Sequence, residues 1–149
     1  MALKWKISPF DGLSIPELYQ VLRLRSEVFV VEQDCVYQDI DNKDQGAIHL
    51  LGFFGERIVA YARLFRPGDY FELASIGRVV IAREFRDRKW GHDLMRVAIT
   101  DIHREFGAVD IEISAQLYLK KFYEFHGFAV KGETYLEDDI PHIRMIRRG

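Results

Sequence analysis

Apolar residues recur every three or four positions in two long segments of the chain, which is the spacing of an amphipathic helix. The first predicted helix begins after Ser14, because Ser14 and Glu17 match the pattern of a capping box. The second ends at Gly107 and carries apolar residues at intervals of four: Leu94, Ala98, Ile102 and Phe106. A shorter helix is predicted over 117–126.

Other segments carry β-branched and aromatic residues in continuous or alternating runs, which are typical of strands. We predict strands over 48–54, 58–65, 73–82, 109–114, 128–135 and 142–146. Gly77 lies inside the third of them, where a glycine indicates a bulge or the close approach of another group. The polar segment 32–46 is predicted to be a loop with at most a short helical turn.

The resulting order is one helix, three strands, a helix, a strand, a helix and two strands. This order predicts the α/β (α+β) class, with a mixed sheet and helices on its faces. The 149 residues contain no repeat, no low-complexity tract and no Ser/Gly-rich linker. We therefore expect a single domain over residues 1–149.

The composition narrows the classes of function. The 21 basic and 23 acidic side chains nearly balance, which argues against nucleic acid or an anionic membrane as the main partner. Cys35 is the single cysteine, so no internal disulfide forms, and a cytoplasmic protein is expected. No apolar run approaches the roughly 20 residues that span a bilayer, and no signal-peptide pattern is present. The histidines and nearby carboxylates match no metal-ligand spacing, so we expect no metal.

The segment 76–95 is the part of the sequence most indicative of function. An apolar strand leads through the basic turn 86–91 into the start of the second long helix. A helix start offers free N–H groups and the positive end of a dipole, and basic side chains add charge, so the arrangement can hold a phosphate group. The alternatives are a solvated basic turn and a nucleic-acid contact, although acidic residues interleave with the basic ones.

Several motifs resemble those of the GNAT N-acetyltransferase family. Residues 79–81, Arg86 and the run 90–95 are similar to the family's acetyl-CoA-binding signature, Gln/Arg-x-x-Gly-x-Gly/Ala between a strand and a helix. Residues 122–128 resemble its aromatic-Tyr-x-x-x-Gly-Phe segment. Further segments are similar to the ElaA-like subgroup: 25–33, 76–79, 115–116 and 137–142. The resemblance covers nearly the whole chain and implies a mostly antiparallel central sheet with helices on both faces.

The resemblance also implies an activity, in which acetyl-CoA donates an acetyl group directly to a primary amine on a small molecule or peptide. The residues expected to bind the coenzyme are Val79, Val80, Ile81, Arg86, Asp87, Arg88, Lys89, Trp90, Gly91, His92, Asp93, Gln116 and Phe122. A backbone N–H near Val79 or Val80 is expected to donate to the thioester carbonyl. Small domains of this family often form dimers, so the resemblance is compatible with a homodimer.

Lys89 departs from the family pattern, which has a glycine at this position of the loop. A glycine there permits a positive φ or a close approach of the backbone to the diphosphate, and a lysine has a steric cost for either. Asp87 places a carboxylate beside the expected phosphates, which repel it. Both residues bear on the affinity for the coenzyme and leave the expected location of the site unchanged.

Acyl transfer to an amine needs a neutral nucleophile, whereas an alkyl amine with a pKa of about 10.4 is almost fully protonated at pH 7. The candidate bases are Glu72, Glu112 and Glu32, and a chain of waters is the alternative. Tyr123 occupies the family position of the acid that protonates the leaving thiolate. A tyrosine at this spacing is also compatible with a purely structural aromatic residue.

The acceptor is expected to bind through Glu32, Arg78, Glu137 and His142. The acidic run 137–139 suits a cationic acceptor, or it is a solvated turn. The main alternative function is a non-catalytic acyl-CoA-binding sensor or partner module on the same fold, which the lysine in the loop favours.

Overall fold

The computed structural model describes residues 2–149. Its strands are β1 (Lys4–Pro9), β2 (Ile48–Phe54), β3 (Arg57–Phe65), β4 (Ala74–Ile81), β5 (Ile111–Gln116), β6 (Phe128–Val130), β7 (Tyr135–Glu137) and β8 (Ile140–Arg147). Its α-helices are α1 (Ile15–Arg25), α2 (Trp90–Phe106) and α3 (Lys120–Phe125). A π-helical segment, Ser26–Glu32, continues α1.

All eight strands belong to one sheet in the order β1-β2-β3-β4-β5-β8-β6, with β7 pairing beside β8. Only β4 and β5 run parallel among the paired strands of the described residues. Both α1 and α2 pack on β3, and β3 is buried at every position from Ile58 to Phe65, so its two faces are covered. The predicted class, a mixed and mostly antiparallel sheet with helices on both faces, is confirmed.

The sequence-based prediction misses β1 and merges β6 and β7 into one strand. β1 is a six-residue edge strand in which Trp5 and Ile7 alternate with lysines, a pattern too short to separate from a loop. The predicted strand 128–135 is in fact two short strands, β6 and β7, separated by a bend at Gly132, whose φ is +87°. Both β6 and β7 pair with β8, one along each half of it.

α1 begins as its sequence predicts. The Ser14 hydroxyl accepts a 3.2 Å hydrogen bond from the backbone N–H of Glu17, and the Glu17 carboxylate accepts one of 2.8 Å from the N–H of Ser14. This capping box satisfies two backbone donors that a helix start otherwise leaves to water. The segment 32–46 is a loop that ends in the short 3-10 turn Asp44–Gly46, also as predicted.

β4 and β5 pair over only two positions. Ala74 lies opposite Ile111 and Ser75 lies opposite Glu112, and beyond these pairs the two parallel strands separate. Since α2 connects the two strands, the basic turn that precedes this helix lies at the open end of the gap.

β4 also carries a β-bulge. Tyr61 of β3 lies opposite Val80 and Arg63 lies opposite Gly77, so one residue of β3 faces two of β4. Gly77 correctly indicated this bulge, but the positive φ of +50° belongs to Arg78. A non-glycine residue in this conformation costs about 1–2 kcal/mol, so other contacts must hold Arg78 there.

The capping box yields a stability prediction. Ser14→Ala removes the acceptor of the Glu17 N–H and is expected to lower the free energy of unfolding by about 1 kcal/mol, measured by urea denaturation. Ser26→Ala is the matched control, because Ser26 is exposed in the continuation of α1 and is expected to change stability little. Equal losses in the two variants would contradict the capping role of Ser14.

Candidate active site

The gap between β4 and β5 opens into a cleft of about 510 Å³. Its walls are the separated strands, the π-helical segment, the start of α2, α3, and the turn between β7 and β8. A cleft of this volume is in the usual range for small-molecule and cofactor sites, about 300–1,000 Å³. The cleft thus has the size of a ligand site and lies where β4 and β5 separate.

Most residues predicted to act at the site line this cleft. On the expected coenzyme side they are Val79, Val80, Ile81, Arg86, Lys89, Gly91, His92, Gln116, Phe122 and Tyr123. The four expected acceptor residues, Glu32, Arg78, Glu137 and His142, line it as well. The sequence analysis missed the wall that includes Val28, Phe29, Gln33, Cys35 and Tyr37. No local pattern reports this wall, because it approaches β4 through contacts distant in sequence.

Four residues predicted to bind the coenzyme lie outside the lining of the cleft. Trp90 is buried in the core, and the Arg88 guanidinium lies over its ring, 5.2 Å from the centroid. Asp93 pairs with Arg96 on the surface of α2, and Asp87 is exposed. Asp87, Arg88 and Trp90 are thus part of the basic turn, and Asp93 follows it, without their lining the cleft.

Glu72 and Glu112, the other two candidate bases, also lie outside the lining of the cleft. Both line a neighbouring cavity of about 640 Å³, which shares Ser114 and Glu137 with the cleft. Glu112 is buried, its Oε2 accepts a 2.9 Å hydrogen bond from Nε of Arg144, and its Oε1 forms an ion pair with Nη2 of the same residue, also at 2.9 Å. Its partner across the sheet is Ser75, so it lies where β4 and β5 are still paired.

The basic turn has the conformation that the family glycine would allow. Lys89 is the residue before α2 and has φ +59° and ψ +22°, in the left-handed region. Lys89 therefore has the steric cost predicted for this position, because the left-handed conformation costs a non-glycine residue about 1–2 kcal/mol. The Lys89 side chain places a positive charge at the same end of the cleft.

Arg86 and Glu32 are paired with each other across the cleft. The Arg86 Nε donates to the carbonyl oxygen of Ile81 at 3.0 Å, and its Nη2 donates to Glu32 at 2.8 Å. The hydrogen bond and charge of Arg86 lower the pKa of Glu32. Glu32 is therefore a charged residue whose oxygens are already engaged, which makes it a poor general base.

Tyr123 lies on α3 and is nearly fully buried at the wall of the cleft. Its ring packs edge-on against Phe122 and Phe128, at centroid distances of 5.1 and 6.0 Å. Among residues 2–149 its hydroxyl has no hydrogen-bond partner, and burial raises the pKa of Tyr123. The hydroxyl therefore stays protonated and is available to a ligand.

A buried ionic network connects the bulge to the loop 33–43, which we call the acceptor loop. Its members are Arg25, Arg63, Arg78, Asp39, Asp41 and Asp44. The Asp39 carboxylate accepts hydrogen bonds from Nε of Arg78 at 2.7 Å and from Nε of Arg25 at 2.9 Å. Three positive and three negative charges cancel formally, so burial leaves none unpaired. The network holds Arg78 in its strained conformation and fixes the acceptor loop against β4.

The parted strands, the bulge and the basic turn before α2 define an acyltransferase of the GNAT type. A family model described as the acetyltransferase (GNAT) domain matches residues 17–148, and the chain belongs to this family. It is 39% identical over 147 residues to the protein ElaA of Escherichia coli K12, which covers 97% of this chain and 96% of that protein.

Two crystal structures share the fold closely. An acyl-CoA N-acyltransferase from Pseudomonas aeruginosa has a TM-score of 0.92 and 40% identity, covering 98% of this chain and 99% of that one. The structure of E. coli ElaA has a TM-score of 0.92 and 38% identity, with the same coverage of 98% and 99%. The chain is thus similar to ElaA in both sequence and structure.

Two further observations concern other classes of site. Within residues 2–149, none of the helices has the length and apolar character needed to cross a membrane. Over the same residues, no three His, Cys, Asp or Glu side chains are grouped in a way that would hold a metal ion.

The backbone at Lys89 yields a prediction. Lys89→Gly is expected to raise the free energy of unfolding by about 0.5–1 kcal/mol, because glycine adopts a positive φ without the steric cost but loses more entropy on folding. Lys89→Ala removes the same charge and keeps the Cβ, so it is the matched control and should give no such gain. Urea denaturation measures both, and equal stability of the two variants would contradict a strained Lys89.

The ionic network yields a pH prediction. Burial alone would raise the pKa of Asp41, but hydrogen bonds and charge from Arg63 outweigh it and lower the pKa to about 2. The stability that Asp41 contributes is therefore complete above about pH 5 and lost progressively as the pH falls towards 2. Asp41→Asn should cost about 1–2 kcal/mol at pH 7, less than the full shift implies because Asp41 is partly solvated.

The measurement is urea denaturation between pH 7 and pH 3, in which the difference between the native protein and Asp41→Asn should narrow as the pH falls. Asp11→Asn is the control, since Asp11 is exposed and lies outside the network. A difference that stays constant over this range would show that Asp41 does not contribute through its charge.

Proposed function

We propose that this protein transfers the acetyl group of acetyl-CoA to a primary amine by direct attack, with both substrates bound in the cleft. The observation that carries the proposal is the juxtaposition of three features in one cleft. These are the parted edges of β4 and β5, the basic turn at the start of α2, and the unpartnered hydroxyl of Tyr123. Membership of the GNAT family supports acyl transfer, and the similar P. aeruginosa protein is named an acyl-CoA N-acyltransferase.

The residues of the cleft fit an acyl-CoA. A coenzyme of this type has amide groups along its pantetheine arm, which suit the strand edges that β4 and β5 leave without a partner. Its diphosphate suits the positive charges of Arg86 and Lys89 and the start of α2. Because Arg86 already forms an ion pair with Glu32, the diphosphate must compete with Glu32 for the Arg86 guanidinium.

When bound, acetyl-CoA supplies an activated thioester carbonyl, and residues of this chain assist the transfer. The backbone N–H of Val79, at the bulge, is proposed to donate to the carbonyl oxygen as negative charge develops on it. The Tyr123 hydroxyl is proposed to give its proton to the sulfur as the C–S bond breaks. The acetyl group forms its new bond to the amine nitrogen directly, without a covalent enzyme intermediate.

The role of Tyr123 yields a prediction for catalysis. Tyr123→Phe removes the proton donor but preserves the packing of the ring, so kcat should fall about 100-fold. The dissociation constant for acetyl-CoA should change less than twofold. The assay follows release of the CoA thiol with a panel of primary amines, including a polyamine, an arylalkylamine and a lysine peptide, and calorimetry follows binding.

Tyr19→Phe is the control, because Tyr19 is exposed on α1 away from the cleft. Unchanged transfer by Tyr123→Phe would remove its role as the acid. Binding of acetyl-CoA without transfer to any amine would instead favour the alternative, a non-catalytic acyl-CoA-binding module. No binding at all would overturn the placement of the coenzyme.

A further inference from the structure

His142 is a buried histidine whose tautomer the structure fixes. It lies in β8 opposite Gln116 of β5 and Tyr135 of β7, and its side chain is only 7% exposed. Its Nδ1 is 2.7 Å from the carbonyl oxygen of Ile140. Because a carbonyl oxygen only accepts, Nδ1 carries a proton, and in the neutral form of the ring the lone pair is therefore on Nε2.

The lone pair of Nε2 faces a second hydrogen-bond acceptor. One carboxylate oxygen of Glu137, Oε2, is 3.4 Å from Nε2, and the other, Oε1, accepts a 3.2 Å hydrogen bond from Ser114. The ring of Tyr135 lies nearly parallel to the imidazole, at 25°, and its hydroxyl also bonds to Ser114. The orientation of both acceptors is therefore set by contacts on two strands.

When the ring is neutral, its Nε2 and the Glu137 carboxylate are both acceptors with no proton between them, so in this form the pair fits a ligand that brings N–H donors. A primary ammonium brings three such donors and a positive charge. His142 and Glu137 both line the cleft that also holds Tyr123. The pair thus lies in the same cleft as the proposed acid, and it offers what a protonated acceptor amine requires.

The three carboxylates named as candidate bases from the sequence, and the cysteine of the cleft, are less suited to accept the proton. Glu32 is engaged by Arg86, Glu112 is engaged by Arg144, and Glu72 does not line the cleft. Cys35 lines the cleft, but burial and nearby carboxylates raise the pKa of its thiol, which therefore stays protonated and cannot take up a proton.

We propose that His142 is the general base of the acetyl transfer and that Glu137 binds the acceptor ammonium beside it, an inference that rests on the proposed function. The ammonium donates to Glu137 and to Nε2 of His142, and one proton moves to Nε2. The nitrogen lone pair freed in this way forms the bond to the acetyl carbon. The adjacent carboxylate stabilises the imidazolium.

The two remaining proton transfers both involve the hydroxyl of Tyr123. As the C–S bond breaks, the sulfur takes the hydroxyl proton of Tyr123, and the newly bonded nitrogen returns one proton to the Tyr123 oxygen. The imidazolium of His142 then releases its proton to solvent past Glu137, whose side chain is 50% exposed. The net products are the acetylated amine, the free CoA thiol and one proton.

The test uses the full chain with acetyl-CoA and the best amine of the panel described above. His142→Asn keeps an amide N–H near the position of Nδ1 and removes the basic nitrogen. We expect kcat/KM to fall at least 100-fold at pH 7 while the calorimetric dissociation constant for acetyl-CoA changes less than twofold. The rise of kcat/KM with pH on the acidic side should flatten, because the variant has no titratable nitrogen at this position.

Glu137→Gln tests the second member of the pair. Removing the carboxylate is expected to raise KM for a cationic amine about tenfold or more, the usual effect of losing a hydrogen bond to a charged group. Glu133→Gln is the matched control with the same change of charge, because Glu133 is exposed in the bend before β7 and does not line the cleft. Equal effects of the two variants would remove Glu137 from the acceptor site.

The outcomes separate the two proposals. Suppose that the native protein acetylates an amine, and that His142→Asn keeps both the native rate and the native rise of kcat/KM with pH on the acidic side. Then His142 is not the base, and the proposed function stands. If the native protein binds acetyl-CoA but transfers to no amine, the proposed function fails and the role of His142 fails with it. Loss of rate together with loss of coenzyme binding would mean that His142 acts structurally, which also overturns its role as the base.

Discussion

β4 and β5 share two residue pairs and then separate, and each functional element of the cleft depends on the backbone that this separation exposes. Buried N–H and C=O groups need partners, so a gap between parallel strands persists only where something else binds there or solvent enters. The bulge at Arg78 turns β4 at the same place. The strained backbone of Arg78 is stabilised by the ion pair between Arg78 and Asp39. Asp39 also accepts a hydrogen bond from Arg25 of α1.

This arrangement gives the two sides of the cleft different chemistry. Arg86, Lys89 and the start of α2 make one end suitable for phosphate groups. At the other end lie Glu137 and His142, which we propose bind a cation that carries N–H donors. Tyr123 is the proton donor that the proposed transfer uses between these ends. The ionic network holds the acceptor loop against β4 through the pairing of Asp39 with Arg25 and Arg78.

Features that are local in sequence were predictable. The capping box of α1, the strand–turn–helix segment of residues 76–95 and the bulge near Gly77 each arise from neighbouring residues, and the structure contains all of them. Features that depend on pairing across the sheet were not. β1 carries too weak a periodicity, and Glu112 resembles a free carboxylate until β8 supplies Arg144. The Arg86–Glu32 pair joins residues that the sequence assigns to opposite substrates.

The central claim is that the parted strands receive the pantetheine arm of an acyl-CoA. The most direct measurement is amide hydrogen exchange of the native protein with and without saturating CoA. The account predicts slower exchange, by at least tenfold, at amides in the separated part of β4 and β5 and in the basic turn, with β2 unchanged. Protection confined to the cavity around Glu72, or none at all, would contradict it.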